Sequence, residues 1–306
     1  MKRMLEGQVV LVTGAGRGLG RDIALLAGQQ GARVMVNDLG ASLGGEGADA
    51  SVAEEVARTI RDAGGEASFS AANVTDRSAV HAMVEQCWDE FGGLSYAVNN
   101  AGILRDRMFH RMSDEEWDAV INVHLNGAFN ISRACADSFR KQESGCLLHM
   151  TSTAGLVGNL GQANYASAKL GIAGLSRSIS IDMAKFNVRS NCIAPFAYSR
   201  MTASIPKSGA KDNSAHLEKV KRMESGKIAP LAVALGSESA AHVTGQIFAV
   251  RANEIFIMSQ PRPLRGMHRD DGWSVETVLE HALPALAPHF TPSGETSRDV
   301  FCWDPV

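Results

Sequence analysis

The sequence predicts an α/β fold, a doubly wound parallel sheet, and three observations carry that expectation. Short apolar runs alternate with helical patterns for most of the length, the first run ends in a glycine-rich turn that opens a helix, and an acidic residue closes the second run. The runs are Val9-Val10-Leu11-Val12, Arg33-Val34-Met35-Val36, Ala67-Ser68-Phe69-Ser70, Tyr96-Ala97-Val98, Leu147-Leu148-His149-Met150 and Val188 to Ile193, each bounded by turn or charge signals. They read as six buried strands, with a seventh at Gln246-Ile247-Phe248-Ala249-Val250. Helical segments separate them. The longest, Ser113 to Lys141, opens as a capping box with Ser113 as N-cap and Glu116 at N3. This rhythm places helices on both faces of one parallel sheet, the Rossmann arrangement.

Residues 1–251 are expected to form one nucleotide-binding and catalytic domain. Within it, residues 195–227 break the rhythm with scattered Pro, Ser, Lys and Gly and a charged helix near Ala215 to Glu224. They follow a strand whose carboxyl end should face the ligand crevice, so they read as a lid over substrate. Residues 252–306, rich in Pro, Arg, His and Trp, form a C-terminal extension with one helix candidate, Ser274 to Ala285. An interface arm and a flap are both open readings of it.

Composition sets bounds. With 306 residues, 45% of them hydrophobic, the chain can bury a large core. A formal net charge of -3 gives no general pull toward nucleic acid or anionic membrane. The five cysteines, Cys87, Cys135, Cys146, Cys192 and Cys302, are odd in number, far apart and never in a Cys-x-x-Cys pair, so neither a metal nor a disulfide framework is expected. The basic start runs straight into a strand pattern, and no apolar stretch approaches the ~20 residues of a membrane helix. Trp303-Asp304-Pro305-Val306 is not a peroxisomal Ser-Lys-Leu signal. A cytoplasmic location is expected.

The first strand ends in Thr13-Gly14-Ala15-Gly16-Arg17-Gly18-Leu19-Gly20. Glycines there let the chain turn tightly and bring backbone N–H groups toward a pyrophosphate resting at the positive end of the following helix. The spacing is Gly-x-x-x-Gly-x-Gly. Asp38 ends the second strand, twenty residues beyond Gly18. A carboxylate there can accept from the adenosine ribose hydroxyls and would repel a 2′-phosphate, which favours NAD over NADP. A solvated loop aspartate before Gly40 is the plainer alternative.

Tyr165 and Lys169 stand at i and i+4 on one helical face, with Ser152 thirteen residues before the tyrosine. A free phenol titrates near ~10, too high for a base at neutral pH, and a neighbouring ammonium favours phenolate. Ser152, at the carboxyl end of its strand, is placed to bind a substrate oxygen as charge develops on it. Thr151 and Thr153 flank it, but strand alternation sends them the other way.

Taken in order, Thr13-Gly14-x-x-x-Gly18-x-Gly20, Asn99-Asn100-Ala101-Gly102, Ser152 and Tyr165-x-x-x-Lys169 resemble the short-chain dehydrogenase/reductase family over about residues 6–250. The resemblance implies an oxidoreductase with Ser152, Tyr165 and Lys169 as catalytic residues. It also implies a nicotinamide dinucleotide held by Gly14, Arg17, Gly18, Leu19, Gly20, Asp38, Leu39, Asn73, Val74, Asn100, Ala101, Gly102, Tyr165, Lys169 and Pro195. Lys169 would bond the nicotinamide ribose. A narrower resemblance lies in Asn37 to Gly40, Ala101 to Arg107, Gly161 to Tyr165, Ile193-Ala194-Pro195 and Ser199 to Thr202. These strings look like the dehydrogenase portion of the peroxisomal multifunctional enzymes of β-oxidation, specific for (3R)-hydroxyacyl-CoA. A free-standing 3-hydroxyacyl-CoA dehydrogenase for fatty or steroid-derived chains is therefore the leading expectation. A dehydrogenase of free hydroxysteroids or other secondary alcohols is the alternative, and a non-catalytic nucleotide-binding subunit the third reading. Family habit implies a homodimer or homotetramer.

Five positions depart from the family pattern or stay open. His124, in His124-Leu125-Asn126-Gly127-Ala128-Phe129, stands where the family has a catalytic asparagine, and it reads either as a proton relay or water holder or as a buried helix residue; Asn122 and Asn126 are the fallback candidates. Asn73 replaces an aspartate beside the adenine. Phe196 follows Pro195 where glycine is common. Arg105 and Arg107 would meet CoA phosphates or stay solvated.

Overall fold

The computed structural model describes residues 3–197, 223–292 and 294–305. Eight strands form one sheet in the order β3-β2-β1-β4-β5-β6-β7-β8. They are β1 (Val9–Thr13), β2 (Arg33–Asn37), β3 (Glu66–Ser70), β4 (Tyr96–Asn99), β5 (Gly145–Met150), β6 (Val188–Phe196), β7 (Ile247–Arg251) and β8 (Glu254–Ile257). All neighbours pair in parallel except β7 with β8, which turn back on each other. The seven predicted strands are present. The eighth, Glu254–Ile257, is an addition: its apolar run Ile255-Phe256-Ile257 lies past the expected end of the domain at 251 and alternates half-buried and exposed residues, as an edge strand does.

Period-two alternation splits each strand between two cores. On β1, Val10 and Val12 face one side, where they meet Ile23 and Ala24 of α1 (Gly18–Gln29), Val56 and Ile60 of α2 (Ser51–Asp62), and Ala232 and Leu235 of α8 (Ala229–Gly236). Val9 and Leu11 face the other side with Val80 and Met83 of α3 (Arg77–Phe91) and Ile131, Cys135 and Phe139 of α5 (Gly127–Gln142). Each core thus takes one helical layer of the predicted winding against one face of the sheet. All five cysteines are free.

The long helix predicted over 113–141 is divided. α4 (Asp114–Ile121) carries the expected capping box at Ser113 and Glu116, and a single π turn, Asn122–Asn126, joins it to α5. Widening at this turn is what lets one histidine, His124, project inward. α6 (Thr153–Leu156) and α7 (Ala163–Asp182) follow β5. The helix candidate at 274–285 is realised as a segmented helix, Val275–Thr277, Val278–Ala282 and Leu283–Leu286. Of the expected lid, 198–222 lies outside the described residues, including most of its charged helix. No described helix is long and apolar enough to cross a membrane.

Tyr96 ties the sheet to α8. Its side chain is fully buried on β4, and its hydroxyl donates to the Ala232 carbonyl at 2.7 Å. Gly236 admits the ring, since a Cβ there would come within 2.5 Å of it. Replacing Tyr96 with Phe keeps the ring and deletes the bond, so urea unfolding should show a loss of about 1–2 kcal/mol at unchanged m-value. Stability equal to the parent protein would contradict this.

Candidate active site

The parallel strands end together, and the glycine turn lies at the carboxyl end of β1. Thr13 is its anchor: its hydroxyl donates to Val98 O and accepts from the N–H groups of Asn100 and Ala101. The Asn100 carboxamide donates to the carbonyls of Thr13 and Gly14, both at 3.0 Å, which explains why the Asn99 to Gly102 string accompanies the turn. Two glycines are sterically required. A Cβ on Gly20 would sit 2.2 Å from Gly14 O, and Gly14, at φ +62°, approaches Ala101 Cα.

These residues fit a dinucleotide. Gly18 has φ +52° and a Cβ built on it would meet nothing, so the turn presents open space at the helix N-terminus. Arg17, the N-cap of α1, makes no side-chain cap, which leaves the first N–H groups of α1 without a side-chain acceptor there. Asp38 accepts from Gly16 N–H (2.8 Å) through Oδ2 and from Gly40 N–H (2.7 Å) through Oδ1, so its carboxylate is fixed against the turn. Gly16, absent from the sequence-based assignment, is the partner that fixes it. Only glycine fits there, since a Cβ would meet Val52 and Asp38 within 3 Å. Val74 is buried nearby, whereas Asn73 is exposed and its Oδ1 accepts from the N–H and hydroxyl of Thr75.

Three side chains converge at the end of β5. Ser152 is the N-cap of α6, its Oγ accepting from Ala154 N–H at 3.1 Å, and it stands near enough to the Tyr165 phenol to favour the charged form. The flanking threonines are otherwise engaged: Thr151 donates to the Lys169 carbonyl at 2.6 Å, and Thr153 is buried in α6. Tyr165 and Lys169 share one face of α7. Lys169 is almost fully buried, with Nζ donating to Met150 O at 2.6 Å and lying 5.5 Å from the Tyr165 ring centre. Gly155 lets α6 close onto α7, where a Cβ would strike the Leu170 backbone.

The electrostatics correct the simple expectation that the ammonium lowers the phenol. Burial pushes Tyr165 up to about 12, with the nearby Ser152 hydroxyl pulling down and the Asp106 carboxylate adding to the rise. Burial also pushes Lys169 down to about 7. Spacing on a helix shows which groups meet; it does not show that the same burial disfavours charge on both.

His124 is the least expected part of the site. Its ring meets Tyr165 edge-on at 5.2 Å and rests on Gly102, where a Cβ would clash with Cε1. Nε2 lies 2.8 Å from Ile103 O and 3.1 Å from Ile103 N, while Nδ1 is buried without a partner among the described residues. A cavity of about 10 Å³, room for roughly one water, is lined by His124, Lys169, Asn99 and Thr13 among others. Asn122 and Asn126 are exposed and bonded to each other, so the fallback candidates do not face this cavity.

The strings 101–107 and 161–165 meet in space. Arg107 N–H donates to Gly161 O, the Gln162 carboxamide donates to Asp106, and Asn164 donates to the carbonyls of Arg105 and Glu116 while accepting from Tyr165 N–H. Gln162 and Asn164, which in the sequence carry only a resemblance, seat the first turn of α7 and thereby Tyr165. Arg107 is paired with Glu116 at 2.9 Å, and Arg105 donates to Gly44 O. Pro195 and Leu39 are half-buried near the same crevice, as are Leu19 and Ala101.

This is the constellation of a nucleotide-linked oxidoreductase, and comparison agrees. The family model described as short chain dehydrogenase matches residues 8–209. The chain belongs to the short-chain dehydrogenase/reductase family, whose members typically bind a nicotinamide nucleotide. It is similar to hydroxyacyl-CoA dehydrogenase ChsB1 of Mycobacterium tuberculosis, 39% identical over 87% of this chain and 84% of that one. It is also similar to peroxisomal multifunctional enzyme type 2 of Mus musculus, 48% identical over 65% of this chain but only 27% of the mouse protein. A crystal structure of a short chain dehydrogenase from Mycobacterium avium matches with a TM-score of 0.82 and 36% identity, covering 94% of this chain and 97% of that one.

The two buried histidines give a pH prediction. Burial, with Lys169 adding to it, holds His124 and His149 down at about 3. Unfolded histidine binds its proton below ~6.5, so between ~6.5 and about 3 the unfolded chain holds more protons and stability falls as pH falls. Replacing His124 with Gln should flatten this acid limb of the Tm profile relative to the parent protein. Parallel profiles would show that His124 does not stay neutral in the fold.

Proposed function

We propose that the protein oxidises a 3-hydroxyacyl-CoA, of (3R) configuration and with a fatty or steroid-derived chain, to the 3-oxoacyl-CoA, using NAD. The observation that carries the reading is the pairing of the 101–107 and 161–165 strings against Tyr165. These are the strings whose resemblance to the multifunctional-enzyme dehydrogenases suggests the substrate, and here they set the position of the helix that carries Tyr165. The similarity to a named hydroxyacyl-CoA dehydrogenase over most of both chains supports the substrate class.

Asp38 supports NAD. Its carboxylate is fixed beside the turn by Gly16 and Gly40, in the place where an adenosine 2′-phosphate would meet negative charge. The turn at Gly14 to Gly20, Asn100 and Lys169 would hold the dinucleotide, which supplies the hydride acceptor when bound. Ser152 holds the substrate hydroxyl oxygen, and Tyr165 takes its proton as general base. Lys169 favours the phenolate whenever it carries its proton, and His124 and Asn99 line, with Lys169, a cavity with room for roughly one water. A homodimer or homotetramer in the cytoplasm fits the family habit, and the C-terminal extension follows β8, with which the sheet runs past the expected boundary at 251.

The direct test is a substrate panel followed by NADH absorbance, with (3R)- and (3S)-hydroxyacyl-CoAs and free hydroxysteroids. Turnover confined to the free steroids would overturn the acyl-CoA reading. Replacing Asp38 with Ala should raise KM for NAD at least tenfold and narrow its advantage over NADP, since one charge-assisted pair is lost; an unchanged cofactor ratio would refute the role of Asp38. Because burial raises the Tyr165 phenol, the base form grows with pH. Oxidation kcat should therefore climb from neutral pH into the alkaline range, and substitution of Tyr165 by Phe should abolish it while NADH still binds. A flat pH profile, or an active Phe variant, would show that another group handles the proton.

A further inference from the structure

The C-terminal extension is bound to both rims of the cleft. Register places these rims: Met150 pairs with Ile193 across β5 and β6, so Ser152 and Pro195, each two residues beyond, are level. Pro195 pairs with Val250, and Phe196 with Arg251, across β6 and β7. Ser152, Phe196 and Arg251 therefore lie along one edge, at the carboxyl ends of three adjacent parallel strands, where ligands bind in such sheets.

The extension crosses that edge. At one end Ser297 N–H donates to Gly158 O at 3.2 Å, in the loop between Ser152 and Tyr165. At the other end Arg251, only 3% exposed, donates through Nη1 to the carbonyls of Phe301 (3.0 Å) and Trp303 (2.9 Å). The Arg251 guanidinium is itself held by Glu254 at 2.8 Å, and Glu254 also accepts from Trp303 Nε1 at 2.8 Å. Between these ties Phe301 stacks edge-on against Phe196 at 4.8 Å and against Phe256 at 5.5 Å. A buried arginine tying down two tail carbonyls is a costly arrangement to maintain for a tail without a fixed position.

We propose that residues 295–303, clamped by Arg251, are a fixed wall of the substrate cleft, and that Phe301 with Phe196 contacts the apolar bulk of the substrate beyond its carbinol carbon. The wall selects by length and bulk, so Phe301 is a specificity-determining residue and Arg251 a positioning residue. This rests on the reading of Ser152 and Tyr165 as the catalytic pair.

Two substitutions separate packing from folding. Phe301→Ala removes the aromatic contact from a half-buried side chain. Ser297→Pro removes the N–H that ties the tail to Gly158, at the first position of a helical turn where proline is tolerated and where Thr296 is already extended. For each full-length variant, kcat/KM would be measured with a short (hydroxybutyryl) and a long (hydroxypalmitoyl) 3-hydroxyacyl-CoA, together with NADH affinity by fluorescence. The expected result is a loss of about tenfold in the long-to-short ratio, with NADH affinity retained. Arg251→Met should reproduce that change in ratio. An unchanged ratio in both Phe301→Ala and Ser297→Pro, or equal losses on both substrates, would overturn the proposal. If the parent protein turns over no acyl-CoA, that reading of the substrate fails by itself, and the same ratio measured on a small and a bulky secondary alcohol decides the wall.

Discussion

The site depends on Lys169 as the polar joint between sheet and helix. Its ammonium donates to the carbonyl of Met150, the last residue of β5, and its own carbonyl accepts from Thr151 just beyond. Two bonds of 2.6 Å in opposite senses fix α7 against the end of the strand that delivers Ser152. Tyr165, one helical turn before Lys169, is thereby set beside Ser152 with no freedom in register. Such a bond to a buried amine is stronger than the same contact in water, and losing either partner would leave a buried polar group unmet.

Burial that secures this joint also sets its chemistry. It disfavours charge on the phenol and on the ammonium alike. His124, kept neutral by burial, adds a lone ring nitrogen to the small cavity behind the lysine. Asn99 and His149, which pair across β4 and β5, bring further buried polar atoms to the same region. Polar groups concentrated in one part of an apolar fold mark where proton transfer is handled.

Much of this was legible in the sequence because it rests on local rules. Strand runs, the capping box at Ser113, the glycine turn and the Tyr165 to Lys169 spacing each follow from periodicity or backbone geometry, and the fold realises them. What was not legible depends on tertiary contact. Gly16 looked like one glycine among several, and only the fold shows it holding Asp38. The π turn at Asn122–Asn126 follows from His124 having to reach Ile103 over Gly102, a contact between residues 21 apart. β8 is an edge strand whose apolar run lies beyond the expected domain end, and the tail's path depends on buried Arg251 bonding the carbonyls of Phe301 and Trp303.

The central claim is that burial, more than the neighbouring ammonium, governs Tyr165 in the protein without nucleotide. Tyrosinate absorbance, recorded as the difference between the parent protein and its Tyr165→Phe variant across an alkaline titration, measures this directly. The account predicts that the difference signal stays absent through the neutral and mildly alkaline range and emerges only toward pH about 12. A phenolate signal already present at neutral pH would contradict it.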